Sequence, residues 1–136
     1  MASKFIRIIS LFAILIDVRP IDISSWSPES MNMFAANVKI INDGLFIIKN
    51  RPESRLVFAK LHTLKGTLVI LDNMMLEELE FPSLNDSQAS IRMKNNPLIH
   101  MKYVQFLRSK CFKTCEIHAN EFVRIFSEDT ASQNMY

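Results

Sequence analysis

The sequence predicts an all-β solenoid, because a 23-residue unit repeats three times between residues 43 and 111. The copies, residues 43–65, 66–88 and 89–111, align without a gap. Alternating apolar residues recur at the third and fifth positions of each copy, and an asparagine recurs at the eighth. A partial copy continues to about residue 120 once one inserted residue is allowed. Coils stacked in register would each bury an apolar face against the next coil.

The third and fifth positions define the inward face of each predicted strand, because side chains alternate between the two faces of a strand. The inward residues are Leu45, Leu68 and Ile91 at the third position, and Ile47, Ile70 and Met93 at the fifth.

The eighth position ends each predicted strand, where an asparagine amide can bond to backbone groups that a turn leaves unpaired. The repeat predicts a structural ladder of asparagines on adjacent coils, formed by Asn50, Asn73, Asn96 and Asn120.

Four motifs carry a resemblance to a known family. They are Asp-Gly-Leu-Phe-Ile at 43–47, Gly-Thr-Leu-Val-Ile at 66–70, Leu-Glu-Phe-Pro-Ser-Leu at 79–84 and Ile-Arg-Met-Lys-Asn-Asn-Pro-Leu-Ile at 91–99. Over about residues 34–126 the chain resembles the receptor L domain, the ligand-binding module of insulin and epidermal growth factor receptors, and especially the stand-alone L-domain proteins of nematodes. Ordinary leucine-rich repeats share the strand motif.

The resemblance implies a right-handed single-stranded β-helix with leucine-rich-repeat-like coils and a short helical or irregular cap. It also implies an extracellular, non-catalytic module that binds a protein or peptide ligand through its strand wall.

Composition agrees with a single domain that has no nucleic-acid partner. The chain has 136 residues, is 49% hydrophobic and carries a net charge of +2 from 16 basic and 14 acidic residues. No phosphate-binding loop or nucleophile elbow occurs, and Glu77, Glu78 and Glu80 fit a solvated loop better than a catalytic acid–base pair. We therefore expect neither catalysis nor a cofactor.

The chain divides into three predicted parts. Residues 1–20 combine Lys4 and Arg7 with a short apolar run, as in a signal peptide, although an extra strand or cap of the solenoid is the alternative. Residues 21–126 form the repeat domain, and residues 127–136 form a polar tail. In an exported chain, Asn85 begins a glycosylation sequon with Asp86 and Ser87.

The fourth and sixth positions of each copy point outward and form the predicted ligand-binding face. An apolar patch bordered by charge is typical of an interaction surface. The alternative is that the N-terminal segment or a second copy of the chain covers it. The residues assigned to this face are Phe46, Ile48, Val69, Leu71, Arg92 and Lys94.

Cys111 and Cys115 are predicted to form a disulfide in an exported protein, which requires a tight turn between them. The alternative is that Cys115 is a buried core thiol, in the inward third position, and that Cys111 is free. A zinc site with His100 and His118 is disfavoured, because His118 would lie on the outer face while Cys115 points inward.

The sequence therefore predicts a secreted binding module with no membrane span. The alternatives are an intracellular leucine-rich-repeat-like adaptor and a truncated receptor-like gene product without an independent role. The fate of the first twenty residues separates the secreted binding module from the intracellular adaptor.

Overall fold

The structure, a computed structural model, describes residues 20–42 and 44–118. These residues form two parallel sheets and two helices. The strands are β1 (Ile21–Asp22), β2 (Ile40–Ile41), β3 (Leu45–Lys49), β4 (Arg55–Val57), β5 (Thr63–Leu71), β6 (Glu78–Glu80), β7 (Asp86–Lys94) and β8 (Cys111–Ile117). The helices are α1 (Pro28–Asn37) and α2 (Met101–Lys110).

Every strand pairing among these residues is parallel. The larger sheet has six strands, with the order β1-β3-β5-β7-β8 and with β2 paired to the beginning of β5. The smaller sheet contains β4 and β6. The repeat thus places corresponding segments side by side.

The predicted fold class, an all-β solenoid in the form of a right-handed single-stranded β-helix, is wrong. The chain instead forms a mixed structure of a six-stranded sheet, a two-stranded sheet and two helices, and the repeats do not close into a solenoid. The third repeat shows the reason. Residues 101–103 share columns with β4 and β6, but they begin α2, and the smaller sheet therefore stops at β6.

Helix α1 begins with local signals that favour a helix over a loop. Ser27 is the N-cap, its hydroxyl accepts a hydrogen bond from the Ser30 backbone N–H at 3.1 Å, and Pro28 occupies the first turn. Met31, Phe34 and Ala35 are buried along one face of the helix, with the spacing of a 3.6-residue period.

Aromatic side chains join α1 to the sheets in the core. The ring of Phe34 lies 5.7 Å from that of Phe46 on β3 and 6.4 Å from that of Phe58. Phe58 in turn stacks on Phe81 with centroids 5.1 Å apart. Offset and edge contacts of this kind stabilise a core beyond the burial of the ring area.

The sequence alignment of the first repeat is off by one residue in its strand. Phe46 pairs with Leu68, which is 22 positions further on, whereas Leu68 pairs with Ile91, which is 23 positions further on. Phe46 and Ile48 are consequently buried in the core, and Leu45 and Ile47, which were predicted to point inward, are half-buried on the other face. The inward positions of Leu68, Ile70, Ile91 and Met93 are confirmed.

Several predictions fall outside the described residues. The predicted signal peptide lies there except for Pro20, as do Asn120 and the predicted tail 127–136.

This register can be tested with two neighbouring isoleucines. Ile48→Ala should lower the free energy of unfolding by about 2–5 kcal/mol, because it leaves a cavity in the core. Ile47→Ala removes a half-buried side chain of the same size and should cost about 1 kcal/mol or less. Urea denaturation of both variants measures the difference. A larger loss of stability for Ile47→Ala than for Ile48→Ala would contradict this register of β3.

Candidate binding face

The candidate binding face is the outer side of the six-stranded sheet, away from the aromatic core. The residues of this face form two rows across the sheet. In the first row, residues on five adjacent strands are successive Cα partners. The second row lies two residues further along three of these strands. The first row contains Asp22, Ile47, Val69, Arg92 and Glu116, and the second contains Lys49, Leu71 and Lys94.

The centre of the binding face is apolar. Val69 is 7% exposed between its partners Ile47 and Arg92, and Ile47 and Leu71 are half-buried. Leu45 adds a further half-buried apolar side chain on β3. The buried apolar residues of both helices belong to the core cluster, on the other side of the sheet.

Four of the six residues assigned to this face from the sequence lie on it, and two do not. Val69, Leu71, Arg92 and Lys94 face outward, whereas Phe46 and Ile48 are 1% and 0% exposed in the core. The one-residue shift of β3 replaces these two side chains with Leu45 and Ile47. The apolar character of the face is retained because both neighbours are also apolar.

The charges of the binding face differ in how they are paired. Arg92 donates from Nε to a carboxylate oxygen of Glu116 at 3.0 Å, and both side chains are largely exposed. Within the described residues, neither Lys49 nor Lys94 forms an ion pair. The face therefore has a cationic border.

Two of the four predicted ladder asparagines are buried at the carboxyl ends of the strands. Asn73 and Asn96 are 0% and 1% exposed. The Asn96 side-chain oxygen accepts from the backbone N–H and the amide of Asn73 at 3.1 and 2.8 Å. The two amides also donate to Ile48 and Ile70, each at 3.1 Å. Each amide thus binds to the strand of the preceding repeat.

The first position of this ladder is occupied by Arg51 rather than Asn50. The Arg51 backbone N–H donates to the Asn73 side-chain oxygen at 2.9 Å. Asn50 is exposed and takes a left-handed conformation with φ 54°, as Asp72 and Asn95 do at φ 58° and 60°. The asparagine that the sequence alignment placed in the ladder thus belongs to the turn position before it.

Arg51 is a structural residue that the sequence analysis missed. Its guanidinium is buried, forms two bonds to the Glu53 carboxylate at 2.9 and 2.6 Å, and donates to the carbonyl oxygens of Ile23 and Trp26 at 2.8 and 2.7 Å. These four hydrogen bonds, two of them to a carboxylate, offset the cost of burying the charge. Arg51 thereby holds the segment between β1 and α1 against the end of the ladder.

The predicted disulfide between Cys111 and Cys115 is present, with Cα atoms 5.9 Å apart. Both cysteines lie on β8, where the pairing with β7 changes register between Ala89 and Ile91. The disulfide therefore spans a bulge, and its sulfurs are not available as zinc ligands. Asn85, the candidate glycosylation site, is exposed between β6 and β7.

A second surface feature is an open groove of about 420 Å³ between β6 and α2, lined in part by Phe81, Tyr103 and Phe106. Glu78 and Glu80 also line this groove, and Arg55 approaches them at 3.3 and 3.4 Å. The acidic cluster seen in the sequence thus lies against a guanidinium.

Comparison with protein-family models, with curated proteins and with solved structures finds no match to this chain. Neither of the helices in residues 20–42 and 44–118 is long and apolar enough to cross a membrane.

The ladder predicts a specific cost for losing one amide. Asn73→Ala should lower the free energy of unfolding by about 1–3 kcal/mol, because buried backbone groups of Arg51 and Ile48 lose their partner. Asn85→Ala, in protein made without glycosylation, is the matched control at an exposed asparagine. Chemical denaturation would contradict the ladder if both variants lost the same stability.

Proposed function

We propose that the chain is a non-catalytic extracellular module that binds a protein or peptide ligand on the outer face of its six-stranded sheet. The observation that carries this proposal is the apolar strip on β3 and β5, formed by Leu45, Ile47, Val69 and Leu71. Apolar patches with a polar border are typical of interaction sites on soluble domains.

The pattern of the strip suits a protein ligand better than a small molecule. It extends along two neighbouring central strands of a sheet, whereas sites for small molecules are usually concave. The cations at its border are long side chains that can adapt to a ligand surface.

The family resemblance supports the same proposal in a specific way. The motif at 66–70 lies on β5 and the motif at 91–99 begins on β7, and these two strands form the middle of the binding face. Receptor L domains use their strand wall in ligand binding, so the resemblance and the apolar strip favour the same surface.

An extracellular location is supported by two features. Disulfides persist mainly in oxidising compartments, and the Cys111–Cys115 bond joins the two cysteines of the chain. Asn85 is exposed in a connection between strands, where a glycan could be accommodated.

Binding can be tested by selecting displayed random dodecapeptides on the oxidised full-length protein. Selected peptides should lose at least about tenfold in affinity on Leu71→Asp, because the substitution replaces an accessible apolar side chain of the strip with a charge. Met33→Asp is the control, since Met33 is 44% exposed on α1, away from the binding face. Fluorescence anisotropy measures each dissociation constant. Peptides that bind equally well to both variants would contradict the proposed face.

Location can be tested by expression in a eukaryotic secretory host, with intact-mass analysis of medium and cytosol. The extracellular module should appear in the medium, two hydrogens lighter than the reduced chain and carrying a glycan that Asn85→Gln removes. Reduced, unglycosylated protein confined to the cytosol would favour the intracellular adaptor instead.

A further inference from the structure

The binding face carries two lysines that flank an apolar side chain. Lys49, Leu71 and Lys94 are Cα partners on the adjacent strands β3, β5 and β7. Because neighbouring strands lie about 4.8 Å apart, the backbones of the two lysines are about 10 Å apart. We propose, resting on the proposed function, that the ligand is an acidic protein segment that presents an apolar side chain flanked by carboxylates.

The two lysines are available to such a ligand. Within the described residues, the ion pairs of the chain use Arg51, Arg55 and Arg92 as the cations. Lys49 and Lys94 take no part in these pairs. Leu71 between them is half-buried and accessible.

The carboxylates close to this row already have partners in the chain. Asp72 follows Leu71 directly and accepts a hydrogen bond from the Asn95 amide at 2.8 Å. Glu116 is bonded to Arg92, and Asp22 accepts from the backbone N–H of Ser24 at 3.0 Å. The acids around the binding face are engaged by other groups, whereas neither lysine forms an ion pair within residues 20–42 and 44–118.

The two lysines determine mainly which ligands the face selects. Exposed ion pairs add little affinity, because water and salt screen them. A basic segment on the same face, however, would bring like charges together and be rejected. Because each lysine is a point charge on a flexible stem, it can accept a carboxylate from either Asp or Glu. The apolar contact at Leu71 would supply affinity, and the lysines would select an acidic partner.

The experiment is a parallel selection of displayed random dodecapeptides on three full-length proteins. They are the wild type, the variant Lys49→Glu/Lys94→Glu and the control variant Lys60→Glu/Lys102→Glu. The control reverses two exposed lysines that lie outside the six-stranded sheet, in the loop after β4 and on α2. Each variant changes the net charge by the same amount, so any general effect of charge is matched.

Peptides selected on the wild type and on the control should be rich in Asp and Glu beside an apolar residue. Those selected on Lys49→Glu/Lys94→Glu should lose that bias. The strongest wild-type peptide, once synthesised, should bind at least about tenfold more weakly to this variant. Its affinity should also fall between about 50 mM and about 500 mM salt.

The outcomes separate this inference from the proposed function. Peptides that Leu71→Asp displaces but that show no acidic bias would overturn the inference and leave the binding face intact. If no selected peptide responds to Leu71→Asp, both proposals fail.

A photo-crosslinking phenylalanine analogue at position 71 identifies what covers the face. Crosslinks to the selected acidic peptide support the inference. Crosslinks to a second copy of the chain, or to residues 1–19 of the same chain, in the presence of that peptide would overturn it. Mass spectrometry of the digested products distinguishes the three.

Discussion

The hydrogen bonds of Asn73 and Asn96 are the interaction on which the arrangement of the large sheet depends. Both side chains are buried, so each of their polar atoms needs a partner, and each side chain bonds to groups of a neighbouring repeat. A shift of one residue between repeats would break these bonds and would also turn each strand's apolar face away from the core. The ladder and the apolar alternation therefore specify the same register. Arg51 occupies the first position of the ladder, where an earlier repeat supplies no asparagine. Its buried guanidinium forms an ion pair with Glu53 there.

The ladder also explains which part of the fold the sequence could predict. In the second and third repeats the buried asparagine and the strand before it were assigned correctly, because both lie in a consistent 23-residue register. In the first repeat the ungapped alignment paired Asn50 with Asn73. Asparagine is favoured at two adjacent positions, as the buried amide and as the left-handed residue before it. Residue type alone did not distinguish the two positions.

Two signals in the sequence could have corrected that register. Gly44 and Gly66 both take positive φ, at 86° and 96°, and aligning them gives an offset of 22 rather than 23. The same offset aligns Asn50 with Asp72, two residues that both adopt the left-handed conformation. The two helices were not predicted for a different reason. The apolar residues of α2 fit the columns of the 23-residue repeat as well as the 3.6-residue spacing of a helix. For α1, the N-cap Ser27 and Pro28 in the first turn are the signals in the sequence for the start of a helix.

The disulfide links the edge of the sheet to the charge pattern of the binding face. Four residues of extended strand span about 13 Å, whereas the Cα atoms of Cys111 and Cys115 are 5.9 Å apart, so the bond requires the bulge in β8. A straight strand continuing from the pairing of Ala89 with Cys111 would place Glu116 opposite Lys94. The bulge instead holds Glu116 opposite Arg92, where it forms its ion pair. The carboxylate that could neutralise Lys94 is thus held two residues away, and the cationic border of the face depends on a covalent bond at the edge of the sheet.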